Sequence, residues 1–154
     1  MSLEKWLSTV KSLVRHQPTV AEIQQLFAVV DRELSDASKG VSADNQFSMA
    51  YNAALKLCTI ALHAEGYKTA SKQPGHHNTT INSLSLTLGD EQKETAIYLS
   101  TCSRTRNQAM YDRIGVATDR DAKELKQAAR KLRQDVVKWL KRRHPRLVPD
   151  GLNG

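Results

Sequence analysis

Arg104, Arg106, Asn107, Tyr111, Asp112 and Arg113 fall within ten positions of one another. At 3.6 residues per turn, Arg106 lies on the same side of a helix as Leu99, Cys102 and Ala109. An arginine on such an apolar strip must be paired or stand at an interface, because an unpaired buried charge is too costly. Asn107 and Tyr111 are four apart and meet on the adjacent strip, while Arg104, Gln108 and Tyr111 form a second polar line beside it. Two chemistries suit this pattern. Arg106 and Asn107 can bond internally to a carboxylate or to carbonyls at a helix end, with Tyr111 covering them. Alternatively, the planar fork of guanidinium donors takes a phosphate, with the Tyr111 hydroxyl nearby.

Two other groupings could do chemistry. His76 and His77 sit in a loop just ahead of a short helix. Adjacent histidines seldom point at one metal ion, so capping and loop packing is the simpler role. Were the loop to fold over Arg106, one imidazole could supply an acid or base. The run Lys138 to Arg146, with Lys141, Arg142 and Arg143 at its centre, is either a solvated helix end complementing the helix dipole or a track for a phosphate backbone. Trp139 is spaced as a core residue, so base stacking is not indicated. Cys58 and Cys102 lie inside apolar helical patterns and read as structural thiols. No Cys-x-x-Cys or His/Cys cluster has metal-ligand spacing, and no metal or cofactor is expected.

The elements that must position these groups are helices. Leu3, Trp6, Leu7, Val10, Leu13 and Val14 recur at steps of three and four, predicting a first helix from Ser2 to about His16. After Pro18, Thr19 and Glu22 have the spacing of a capping box for a second helix with Ile23, Leu26, Phe27, Val30 and Leu34 inward, ending at Gly40. Ser42 or Asp44 caps a third, whose Phe47, Ala50, Tyr51, Ala54, Leu57, Cys58, Ala61 and Leu62 make it the most periodic and most buried segment, running to Gly66. A loop around Ser71, Pro74 and Gly75 leads to a short helix with Ile81, Leu84, Leu86 and Leu88. A longer helix follows from about Glu91 to Tyr111, with Ile97, Leu99, Cys102, Ala109 and Met110 as its apolar members. Asp119 caps a last helix burying Ala122, Leu125, Ala129, Leu132, Val136, Trp139 and Leu140, and the tail to Gly154 is expected to fray. No alternating β-branched run is long enough to suggest a sheet.

A chain of 154 residues, 40% hydrophobic and 25% charged, has the composition of one globular domain. The expected division is a helical hairpin over 1–40, a bundle core over 42–143 and a tail over 144–154. The fold class is all-α, an antiparallel up-and-down four-helix bundle with additional N-terminal helices. No stretch approaches the roughly 20 apolar residues of a bilayer span, and no secretory leader pattern opens the chain, so the cytoplasm is the simplest location. Fourteen Lys or Arg against five Asp or Glu lie between Arg104 and Arg146, within a net charge of +7. That asymmetry permits a polyanionic partner.

Arg106-Asn107-x-x-x-Tyr111-Asp112, after a long amphipathic helix and a loop with Gly75-His76-His77 and before an acid-capped last helix, resembles the HEPN superfamily of small bacterial helical bundles over about Phe47 to Leu140. The resemblance implies a homodimer formed through the motif-bearing helices. It also implies metal-independent RNA cleavage, and membership of a toxin-antitoxin or defence pair with a nucleotidyltransferase-type or other antitoxin partner. It carries Arg106, Asn107 and Tyr111 onto the catalytic positions, with Arg104, Asp112, Arg113, His76 and His77 around the substrate. Tyr111 stands where the family motif has histidine, and a phenol with a reference pKa near 10 is a poor general base. The expected function is therefore binding of RNA or of a nucleotide-bearing partner, with ribonuclease chemistry the only enzymatic activity implied. The rival expectation is a non-enzymatic interaction or regulatory module in which the Arg-Asn pair only secures the dimer.

Overall fold

Apolar side chains face almost every direction along Ala43–Ala64 (α3), so this helix can be stable only if other elements surround it. The computed structural model describes residues 2–9, 13–39, 42–70, 76–111 and 116–154, with the backbone alone at 76 and 108–111. In it, α3 packs most extensively against α2 (Val20–Ser38) and α7 (Asp119–Arg143). The remaining side is covered by α4 (His76–Asn82), α5 (Leu84–Thr87) and α6 (Lys93–Tyr111). All eight apolar positions expected inward on α3 are buried, and the small Ala50, Ala53, Ala54, Ala61 and Ala64 let its neighbours approach closely. On α7 the seven expected core residues are likewise buried. The fold is mostly helical, as expected, and among the described residues no helix is long and apolar enough to cross a membrane.

Helix starts follow the side chains available to bond free backbone N–H groups. Ser42 Oγ accepts from Asn45 N at 3.0 Å and starts α3. The last helix is capped by Thr118, not Asp119. Thr118 Oγ1 accepts from Asp121 N while the Asp121 carboxylate accepts from Thr118 N, both at 3.0 Å, a reciprocal capping box. Asp119 instead sits in the first turn, where its charge suits the helix dipole.

The N-terminal segment departs from the single helix its periodicity predicts. Helix α1 spans Leu3–Thr9, and Leu13–Arg15 is a strand, β1, paired antiparallel with β2 (Tyr67–Thr69) in the register Leu13 to Thr69 and Arg15 to Tyr67. Ser8 and Thr9 hydroxyls bond back to the Lys5 carbonyl, a contact that competes with continuing the helix. Leu3, Leu13, Leu62 and Tyr67 then close a small second cluster, flanked by Trp6, Leu7 and Leu86. Steps of three and four cannot separate a helix from a helix followed by a strand when both bury the same leucines. Gly66, at φ +94°, makes the turn from α3 into β2, and its carbonyl accepts from His16 N at 2.8 Å.

Two further expectations change. Ile97 is 68% exposed, because the inward strip of α6 runs through Ala96, Leu99 and Cys102 and leaves Ile97 to one side. The segment after α7 is packed rather than frayed. Leu147, Val148 and Leu152 lie against the core, and Arg133 ties Asp31 to the Asn153 carbonyl.

Since Leu57 is fully buried at the middle of α3, Leu57→Ala removes contacts on several sides at once. It is expected to cost about 2–5 kcal/mol in urea unfolding. Ile97→Ala is expected to change stability by less than about 0.5 kcal/mol.

Candidate functional site

Asp44, Ser48 and Tyr51 recur at steps of four and three, so they share one face near the start of α3. That face meets the C-terminal part of α6. Asp44 Oδ1 accepts from Ala117 N at 2.9 Å and pins the segment leading into α7. One turn on, Arg106 Nε donates to Ser48 Oγ at 3.3 Å, and the Arg106 guanidinium carbon lies 5.4 Å from the centroid of the Tyr51 ring, within cation–π range. Tyr51 is buried, and Ser103 approaches its hydroxyl more loosely than an ordinary hydrogen bond. Burial pushes that phenol above its ordinary pKa, with Ser103 and the Arg106 charge tempering the rise.

Arg106 is half-buried, as its position on the helix required. Among the described residues it has no carboxylate partner; the arginine ion pairs belong to Arg15, Arg120, Arg133 and Arg143. Among the described residues the guanidinium is thus oriented by a hydroxyl and a ring and met by no carboxylate. Ser48, Tyr51 and Ser103 complete this site, and the sequence reading missed all three. The signal for the first two was that α3 carries Ser48 and a phenol among otherwise apolar inward positions; Ser103, on α6, had none.

The other expected site residues scatter. Asn107 is exposed. Arg104 is exposed on a different face of α6, its Nη2 3.5 Å from Thr101 Oγ1, beside a shallow groove shared with Asn82, Ile97 and Thr101. The side chains of Tyr111 and His76, and all of Asp112 and Arg113, lie outside the described residues. His77 is half-buried and already engaged. Lys141 and Arg142 are exposed, but Arg143 is held by Glu65 through Nε at 2.8 Å and Nη2 at 3.0 Å. Arg143 is therefore a tether between α7 and the end of α3 and not a free phosphate contact. Twenty-odd residues of α7 separate this basic run from the Ala117 anchor, about 35 Å at 1.5 Å per residue. The Arg106 site and the basic run stand at opposite ends of the molecule.

That second end holds two clusters with no local motif behind them. Glu65 accepts from Arg143 and from His144, whose ring also packs edge-on against Trp139 at 5.3 Å. Burial works to raise the Glu65 pKa, but Arg143 and His144 outweigh it and hold the carboxyl below its ordinary value. Nearby in sequence, His63 bonds Glu22, and Glu22 also bonds His16. Burial opposes the Glu22 charge too, and the two histidines again win, while burial lowers the His63 pKa. The expected absence of a metal-ligand spacing described the sequence only; positions 16, 22 and 63 converge in the fold. Cys58 and Cys102 are buried, and burial pushes their thiols up to about 12 and about 11, so both stay protonated at neutral pH.

No family model, curated protein or solved structure matches the chain.

A carboxyl with a lowered folded pKa contributes stability above its ordinary value of 4.5 and loses it as pH falls through the lowered value. Glu65→Gln is therefore expected to lower the melting temperature at neutral pH and to flatten its decline below about pH 4.5. An unchanged acid limb in thermal melts across that range would contradict the pairing.

Proposed function

We propose that this chain is a HEPN-like helical protein, with its long antiparallel helices forming an up-and-down four-helix bundle, and that it binds RNA or a nucleotide-bearing partner as a homodimer through Arg106. The observation that carries the reading is the half-buried guanidinium, oriented by Ser48 and Tyr51 and lacking an acid among the described residues. Its Nε is used by Ser48, which leaves the two terminal nitrogens as an end-on fork suited to two phosphate oxygens. Asn107, exposed on the neighbouring strip of α6, offers an amide able to donate or accept. The role is binding; Tyr111 in place of an imidazole gives no general base matched to neutral pH. A toxin-antitoxin or defence setting, with a nucleotidyltransferase-type partner, follows only from the HEPN likeness.

The test is fluorescence anisotropy with a single-stranded RNA oligonucleotide across a salt series. Arg106→Ala is expected to weaken binding about tenfold or more with an unchanged circular dichroism spectrum, and to reduce the salt slope by about one phosphate contact. Arg106→Lys keeps the charge but loses the fork and should fall between. Equal affinity for wild type and Arg106→Ala would falsify the reading.

A second reading is favoured by Ile97, a large apolar side chain left in solvent on the face that also carries Arg104. Here α6 is a protein-interaction surface and Arg106 serves only the packing beneath it. On this reading Ile97→Glu is expected to convert dimer to monomer in sedimentation velocity while RNA affinity stays constant.

A further inference from the structure

Glu22 occupies the third position of α2, where the Thr19-x-x-Glu22 spacing predicts that its carboxylate folds back onto the helix cap. Half of that device forms. Thr19 Oγ1 accepts from Glu22 N at 3.2 Å, but the carboxylate turns away toward two imidazoles. His16 Nε2 lies 2.8 Å from Oε1 and 2.7 Å from Oε2, and His63 Nδ1 bonds Oε1. The two rings are 4.6 Å apart between centroids. Three separate pieces of chain meet here: the segment following β1, the first turn of α2 and the last turn of α3.

We propose that His16 Nε2, the Glu22 carboxylate and His63 Nδ1 form a three-ligand site for one divalent transition-metal ion of the zinc class. Two imidazole nitrogens and one carboxylate oxygen match the donor preference of such an ion, and three protein ligands leave a fourth position for water or another small ligand. The spacing fits. A tetrahedral ion with bonds of about 2.0–2.2 Å sets its ligand atoms about 3.3–3.6 Å apart. The His16–Glu22 contacts are shorter than this, and every ligand atom lies within 4.8 Å of the others. Side-chain shifts of about an ångström therefore seat the ion without moving α2 or α3. The three side chains are 19%, 25% and 17% exposed, enough for entry from solvent yet restrained by packing.

An ionised carboxylate can only accept, so in the hydrogen-bonded arrangement each facing ring nitrogen carries the proton. On metal binding a neutral His16 moves its proton to Nδ1 and a neutral His63 to Nε2, and a protonated ring releases one to solvent. The freed lone pairs meet the ion, and the carboxylate exchanges two N–H donors for a metal bond. Binding joins residue 16 to residue 63, clamping the β1–α2 connection onto α3. Since the unfolded chain does not hold these ligands together, the ion stabilises the fold by mass action.

The experiment is calorimetric titration of the chelator-treated full chain with zinc sulfate alone, alongside thermal melts and the visible spectrum with cobalt(II). One ion per chain is expected, with a melting temperature that rises with zinc and a cobalt spectrum of four-coordinate intensity. Glu22→Gln, nearly isosteric and able to fold with its histidines in place, should weaken zinc binding about tenfold or more, as should His16→Ala. His144→Ala and the His76→Ala/His77→Ala double variant should bind as wild type. Failure of the wild-type chain to bind zinc, undiminished affinity in both Glu22→Gln and His16→Ala, or loss of binding in the control variants would each overturn the assignment.

Discussion

The burial of α3 on nearly all sides is the constraint that organises this molecule. A helix enclosed by α2, α7 and the α4–α6 side cannot turn charge inward along its middle, where each charge would need a partner inside the core, and its one mid-helix ion, Lys56, stays partly exposed. The polar side chains of α3 that bond to other elements accordingly lie toward its two termini. Asp44 and Ser48 lie at the start, and His63 and Glu65 at the end. Between them Ala50 to Leu62 is almost entirely apolar on its inward faces. The chemistry of the protein is thereby divided into two poles, separated by a core that transmits packing but holds little charge.

The poles differ in electrostatic character. At the far one two carboxylates are each met by two donor groups: Glu22 by two imidazoles, Glu65 by a guanidinium and an imidazole. Part of the basic surplus of the C-terminal third is met by acids from earlier in the chain, since Arg133 holds Asp31 and Arg143 holds Glu65. These are tethers, and Arg133 in particular fixes the C-terminal segment to α2 and α7. At the near pole the balance reverses. Arg106 has a hydroxyl and an aromatic face among the described residues, neither of which cancels its charge.

How much of this could be read from sequence depended on whether the information was local. The inward residues of α3 and α7 were legible because burial repeats every three or four positions, and a capped helix with such a stripe has few alternatives. Arg106 was legible for the same reason, as a charge on an apolar strip. Its surroundings were not, since Ser48 and Tyr51 lie more than fifty positions away and belong to a stripe read as core. The β1–β2 pair was missed because three-residue strands leave no period of two to detect, and their pairing is settled by Gly66 and the small cluster around Leu3 and Leu62. His16, Glu22 and His63 carried a misleading signal: Glu22 looked fully explained by a helix cap. A residue with a sufficient local role can still be recruited by a distant one, and spacing rules have no means of showing that.

The preference for Arg106 as an anion contact over the exposed Lys141 and Arg142 rests on what each side chain loses on binding. A free surface cation must give up several rotamers to hold a phosphate, and that entropy is of the same order as the contact it gains. Arg106 has already been fixed by Ser48 and the Tyr51 ring, and it is partly withdrawn from water, where a charge-assisted hydrogen bond is worth more. Against this stands the dipole of α6, whose C-terminal end disfavours an anion, and the N-terminal N–H groups of α7 are partly occupied by their own capping box. One guanidinium in that setting gives modest affinity. Useful binding then calls for several such contacts acting together, from neighbouring side chains or from a second copy of the chain, and this is the physical reason the anion-binding and dimer readings belong together.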